Sequence, residues 1–172
     1  MIDLGAGPAE PFEAAVAPLF EGAPQFLARL AAARPFATPD QMFAAARSIA
    51  HAMPEADQLE LIDAHPRLGA PPGSVSALSF VEQGYDRDAA AEQAEAERAR
   101  VAADLERLNA AYEARFGFRY CVFVAGRPRA ALIPGLEAAL ARPRDDELHR
   151  ALDAVVDIAI DRHAKLSAEE AR

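Results

Sequence analysis

An all-α fold, a single compact domain of about seven to nine helices, is what this sequence predicts. Three observations predict it. Just over half of the residues are apolar and many of these are alanine, the best helix former, while aromatics make up only 7% and tryptophan is absent. Apolar residues recur at steps of three and four along most of the chain. The one strand-like run, "YCVFV" at 120–124, is short and has no second strand to pair with, so it reads as a buried extended segment between helices. At 172 residues the chain can fill one core, and its length gives no reason to expect a second domain.

Residues 1–10, with Gly5, Gly7 and Pro8, read as a loose terminus, and the helical domain is expected over 11–167. Phe12, Val16, Leu19 and Phe20 predict a first helix, stopped by Gly22. Phe26, Leu27 and Leu30 predict a short second one, ended at Arg34-Pro35 because the residue before proline avoids helical dihedrals. In "TPDQ", Thr38 is a cap, Pro39 suits the first helical position and Gln41 can complete a capping box. That helix carries Met42, Phe43, Ile49 and Met53 and should end near Pro54. Leu59, Leu61 and Ile62 give the next helix its apolar side, and Pro66 forces it to stop at His65. "LGAPPGSVSA" is a loop, and a short helix is expected from Ser79 through Tyr85. The longest helix should span roughly Arg87 to Phe116, striped by Val101, Leu105, Leu108, Tyr112 and Phe116 and terminated by Gly117. "RAALIPGLEAAL" follows with Pro134 near a start or kink. A last helix, about Asp145 to Leu166, sets Leu148, Leu152, Val155, Ala159, His163 and Leu166 on one face.

Net charge of −9 and a pI near 4.9 offer no concentrated positive footprint, which excludes nucleic acid and anionic membrane as expected partners. The single cysteine, Cys121, excludes an intramolecular disulfide and reads as a buried inert thiol. No apolar run approaches a membrane span, and neither a secretory signal nor a peroxisomal address is visible, so a cytoplasmic protein is expected.

None of the four histidines lies in a spacing that puts two ligands on one helix face, so no metal is expected. His163 reads as a core or interface residue, His51 and His149 as exposed or half-exposed ones. His65, in "DAHPRLG", admits two readings. It is either a helix-end residue or a catalytic group, and a helix C-terminus would raise its pKa. Arg67 and the following loop are placed to rim a pocket. "SFVEQ" at 79–83 has the Ser-x-x-Glu pattern of a capping box, Ser79 accepting from the Glu82 N–H. The same Ser/Glu/Gln cluster at a helix start would also suit a carboxylate or polar heterocycle. No phosphate loop or nucleophile elbow is present.

In their order, "RPF" at 34–36, "HPRLG" at 65–69, "SFVEQ" at 79–83, "LNAAYEARFGF" at 108–118 and the closing helix resemble one family. It is that of 2-oxo-4-hydroxy-4-carboxy-5-ureidoimidazoline (OHCU) decarboxylases, and the likeness covers about residues 12 to 166. The resemblance implies an all-helical homodimer without a cofactor, converting OHCU to S-allantoin and CO₂ late in urate breakdown, with hydroxyisourate hydrolase as a pathway neighbour. It implies His65 as catalytic acid/base and Glu82 as the group holding the ring hydroxyl or a ring nitrogen. Ser79 and Gln83 would bind ureido or carbonyl groups. Pro66 and main-chain groups of Tyr120, Cys121, Val122, Phe123 and Val124 would also touch the substrate, and Arg67 would make a loose contact with its carboxylate. An arginine common in the helix after the extended segment has no counterpart near Ala139. Two rival readings are a catalytically silent helical dimer serving as an interaction module, and a lyase or hydrolase of another ureido compound.

Overall fold

The computed structural model describes residues 2–85 and 95–170, so the first part of the expected long helix, 87–94, lies outside the described residues. Among them are eight α-helices and no strand. They are α1 (Ala9–Val16), α2 (Pro24–Ala32), α3 (Pro39–Ala52), α4 (Glu55–Asp63), α5 (Ala77–Glu82), α6 (Glu95–Phe116), α7 (Ile133–Ala139) and α8 (Arg144–Glu170). Three short 3-10 turns, Ala17–Leu19, Pro72–Ser74 and Arg129–Leu132, join them. None of the described helices is long and apolar enough to cross a membrane. The chain forms two compact units, one of residues 1–65 and 149–172 and one of Pro66–Leu148.

In the first unit, α2 packs on α1, α3 and α4. The first helix is shorter than its apolar spacing predicts, because Pro18 lacks an N–H and tightens 17–19 into a 3-10 turn. Phe20 still buries completely, its ring 4.7 Å from that of Phe26. Thr38 caps α3 as expected, its Oγ1 accepting from Gln41 N at 3.2 Å. The Gln41 side chain reaches back one residue further than a capping box requires, accepting from Ala37 N at 3.0 Å. Gln58 is a buried residue the apolar pattern did not mark. Its Nε2 donates to the carbonyls of Ala50 and His51 at 3.0 and 3.1 Å, which satisfies the open C-terminal end of α3. In α8 the buried set is wider than one stripe, taking in Ala151, Ala154, Val156, Ile158 and Arg162. His163 is half-buried, edge-on to Phe43 at 5.5 Å. His51 is bonded to Asp153, Nε2 to Oδ1 at 2.9 Å, and its ring lies 5.1 Å from that of His149. Among the described residues no group of three His, Cys, Asp or Glu side chains is arranged to hold a metal ion.

In the second unit, α6 buries Leu105, Leu108, Tyr112 and Phe116 as the stripe predicts, with Asn109 added and Val101 left half-buried. Gly117, at φ +81, ends the helix. Tyr112 is the hub of an aromatic cluster, 4.5 Å from Phe116, 5.7 Å from Phe118 and 5.2 Å from Tyr120 between ring centroids. Residues 119–124 are neither helix nor strand, and Tyr120, Cys121 and Val124 are buried, as expected for an extended segment. α7 begins one residue before Pro134, where proline's missing N–H costs nothing.

Candidate active site

His65 ends the first of the two chain segments that make up the first unit. The α4 helix stops at Asp63 because Pro66 denies its predecessor helical dihedrals, and His65 N turns back to the Ile62 carbonyl at 3.1 Å. The side chain is buried, with Nδ1 3.2 Å from the Leu61 carbonyl. A carbonyl only accepts, so this bond requires the proton on Nδ1, and in the neutral ring Nε2 then carries the lone pair. The helix-end position led to an expected rise in pKa, and the structure overturns that expectation. Burial, with the Arg162 guanidinium second, outweighs the Leu61 hydrogen bond and Glu21 and lowers the pKa from 6.5 to about 4. A desolvated ring beside a cation is neutral at physiological pH.

Arg162, on α8, is 1% exposed. Its Nη1 donates to the Pro18 carbonyl at 2.9 Å and its Nη2 pairs with Glu21 Oε1 at 2.8 Å. The sequence reading passed it over because it sits one position before His163, the residue that completes the apolar stripe. The available signal was an arginine in helical register with Val155, Ile158 and Ala159, since a charge on an apolar face is buried only with partners.

In the second unit the residues after Pro66 form a tight loop. Ala70 N donates to the Arg67 carbonyl at 3.1 Å, closing a turn that places Gly69 at φ +80. Leu105 covers Gly69 so closely that a Cβ there would meet Leu105 Cδ1 at 2.9 Å. Gly69→Ala therefore combines a left-handed backbone with overpacking, together about 2–4 kcal/mol. Thermal denaturation should show a Tm lower by roughly 5–15 °C, and an unchanged Tm would mean the turn is not formed as described.

Gln83, buried at the C-terminal end of α5, grips this loop with both ends of its amide. Oε1 accepts from Gly69 N at 2.7 Å, and Nε2 donates to the Arg67 carbonyl at 3.2 Å. The Tyr85 hydroxyl donates to the Ala70 carbonyl, and Asn109 Nδ2 donates to the Leu68 carbonyl at 2.8 Å. Arg129 donates to the Gln83 carbonyl at 3.0 Å, and its guanidinium stacks 4.2 Å from the centre of the Tyr85 ring. Within the second unit, the structure thus joins the loop Arg67–Ala70, Gln83 of "SFVEQ" and the asparagine of "LNAAY" into one cluster.

The capping-box reading of Ser79 does not hold. The helix starts a turn's fraction earlier, at Ala77, and its cap is Ser76, whose Oγ accepts from Ser79 N at 3.2 Å. Ser79 is the third helical residue and is buried, so capping no longer accounts for its hydroxyl. Glu82 is the last residue of α5 and half-buried. Arg67 is held by two carboxylates of α6, Nη1 3.0 Å from Glu106 and Nε 2.7 Å from Glu113. The extended segment ends in a turn over Val124–Arg127, with Ala125 at φ +51 and Gly126 at φ +71, closed by Arg127 N to the Val124 carbonyl at 3.1 Å. The Arg127 guanidinium takes the carbonyls of Val124 and Phe123 at 3.0 and 2.6 Å. Those two acceptors of the expected main-chain set are therefore already engaged. Ser79 lies in the first turn of α5, whereas Glu82 and Gln83 lie at its C-terminal end and not at a helix start as expected, with Pro66 and Arg67 on the loop that Gln83 grips.

Comparisons with known proteins complete the description. The family model for OHCU decarboxylase matches residues 6–164. The chain is 28% identical over 141 residues to 2-oxo-4-hydroxy-4-carboxy-5-ureidoimidazoline decarboxylase of Haloferax volcanii, covering 82% of this chain and 80% of that protein. It is 32% identical over 152 residues to the uric acid degradation bifunctional protein PucL of Bacillus subtilis, covering 88% of this chain but only 29% of that longer protein. A crystal structure of OHCU decarboxylase in the presence of (S)-allantoin matches with a TM-score of 0.66 at 23% identity, over 93% of this chain and 98% of that one. One of (S)-allantoin synthase matches at 0.62 and 22% identity, over 93% of this chain and 51% of the other. At such identities the structural likeness concerns the fold, and that fold is the all-α one described above.

Proposed function

This chain belongs to the OHCU decarboxylase family, and from that membership we infer that it releases CO₂ from OHCU to form S-allantoin in urate degradation. The reaction class is that of a carboxy-lyase. The bond from the carboxylate to the hydroxyl-bearing ring carbon breaks, and its electron pair enters the adjacent ring C=N, whose nitrogen takes up one proton. The hydroxyl then loses its proton to become a carbonyl while the neighbouring carbon gains one on a single face, which makes the product chiral. Because the substrate's own C=N receives the electron pair, the step asks the protein for orientation, proton transfer and stabilisation of the developing charge.

We assign His65 the proton transfers. The buried, neutral imidazole with Nδ1 turned to Leu61 is the observation that carries the assignment, because that tautomer has its lone pair on Nε2, the nitrogen that would take the hydroxyl proton. The anionic substrate would raise the pKa of that ring on binding, which prepares it to give a proton back. Glu82 would hold the ring hydroxyl or a ring nitrogen and turn the carboxylate out of the ring plane. Ser79 and Gln83 would bind the ureido and carbonyl groups. For Gln83 that leaves the second Nε2 hydrogen, since the loop takes the first. Pro66 and main-chain groups of 120–124 complete the contacts. Arg67, shared between Glu106 and Glu113, would meet the departing carboxylate only loosely. A tight grip on that anion would favour the ground state and slow its loss.

The family resemblance also supports a homodimer, and the composition supports a cytoplasmic protein. The family resemblance is likewise what suggests a hydroxyisourate hydrolase acting just upstream, while the name of the Bacillus relative places that protein in uric acid degradation. The test is circular dichroism of freshly generated OHCU with the protein. Optically active S-allantoin should appear faster than in buffer. Racemic product at the buffer rate would instead favour a silent helical dimer or a lyase of another ureido compound.

A further inference from the structure

The loop Arg67–Ala70 is held in an unusual way. Four of its main-chain groups are taken by side chains, namely the Arg67 carbonyl and Gly69 N by Gln83, the Leu68 carbonyl by Asn109 and the Ala70 carbonyl by Tyr85. Leu68, itself buried, would anchor the loop by packing alone. Packing, however, tolerates shifts of several tenths of an ångström, whereas four directional bonds from Gln83, Tyr85 and Asn109 do not. The two ends of this clasp carry proposed substrate contacts, because Pro66 directly precedes Arg67 and Glu82 directly precedes Gln83. Arg129 backs the clasp from behind, bonding to the Gln83 carbonyl and stacking on Tyr85.

We propose that Asn109 and Tyr85 are positioning residues for the decarboxylation, setting through the main chain of Arg67–Ala70 the placement of Pro66 with respect to Glu82. The inference rests on the function proposed above. Neither side chain has to touch the substrate. Each bonds to a main-chain carbonyl, so its removal alters geometry without altering the chemical groups that meet OHCU. A displacement of about 1 Å at a reacting centre is enough to cost up to 10²-fold in rate.

Tyr85→Phe removes only the hydroxyl and keeps the ring under Arg129. Asn109→Ala removes the amide from a buried site and carries the greater risk to folding, so the phenylalanine variant keeps the proposal testable by itself. Both are compared with the intact protein on freshly generated OHCU, following kcat, KM and the enantiomeric excess of the allantoin, with thermal denaturation in parallel. The expected result is a kcat lower by about tenfold or more in folded Tyr85→Phe, with KM changed less than kcat. Folded Asn109→Ala should behave alike, and the double variant should lose less than the product of the two because both act on one loop. A purely structural role would lower Tm and leave kcat of the folded protein intact. Tyr85→Phe with wild-type kcat and KM would overturn the inference while leaving the decarboxylase reading in place. An intact protein that makes no S-allantoin would overturn that reading, and this inference with it.

Discussion

His65→Asn is expected to abolish most of the stereospecific formation of S-allantoin, lowering kcat by about 10²–10⁴-fold, the usual loss when a positioned acid/base is removed. Asparagine is the informative replacement. Its amide can still donate to the Leu61 carbonyl that holds Nδ1 of the histidine, so the end of α4 keeps its hydrogen bond and the cavity stays nearly filled. What disappears is the lone pair that a neutral, Nδ1-protonated ring presents on Nε2. Circular dichroism separates the enzymatic and spontaneous reactions, since spontaneous decay of OHCU gives racemic allantoin. The variant should therefore lose optical activity in the product while far-ultraviolet dichroism stays helical. A variant that still delivers S-allantoin at the wild-type rate would remove His65 from the chemistry. Glu82 would then be the remaining candidate.

The helices themselves were legible because their punctuation is local. Thr38-Pro39, Pro54, Pro66 and Gly117 each act on backbone within a turn of themselves, and each sits where the pattern placed it. The exceptions were also local but competed with a stronger signal. The spacing of Val16, Leu19 and Phe20 masks the break that Pro18 makes, and the Ser-x-x-Glu of Ser79 masks the better cap three residues earlier at Ser76. The site was legible only as a set of short motifs in a family's order. What the motifs do for one another depends on contacts 14 to 46 residues apart, such as Gln83 with Gly69, Asn109 with Leu68 and Arg129 with Gln83, and no periodicity encodes those. The pKa of His65 was misread for the same reason. The helix end is visible in sequence, but the burial that outweighs it is a tertiary property, and the arginine that adds to it, Arg162, comes from α8.

Stability should carry the mark of that buried ring. In the folded chain the His65 pKa is lowered from 6.5 to about 4, so between those values the unfolded chain binds the proton and the native state does not. Stability must then rise with pH through this window and be flat above it, and the full loss is reached once pH falls below about 4. The gap corresponds to on the order of 3 kcal/mol, a large part of the stability of a typical domain. Other groups titrate nearby, and one of them shows why a variant is needed. Burial raises the Asp153 carboxyl, but its hydrogen bonds to His51 and Arg47 overcome this and lower its pKa, so its contribution is lost only on acidification below the ordinary carboxylate range. Such carboxylate effects are common to the wild type and His65→Asn and cancel in their difference. Urea denaturation of both proteins at pH 7 and pH 4.5 isolates His65. The wild type should lose on the order of 2–3 kcal/mol more than the variant on acidification. The same buried ring predicts that the acid limb of kcat/KM, which reports the free enzyme, falls near pH 4 and not near 6.5. Equal pH slopes for the two proteins would mean that His65 is hydrated in solution, and an acid limb near 6.5 would follow from the same cause. The two measurements therefore have to agree, because one proton on one nitrogen governs both.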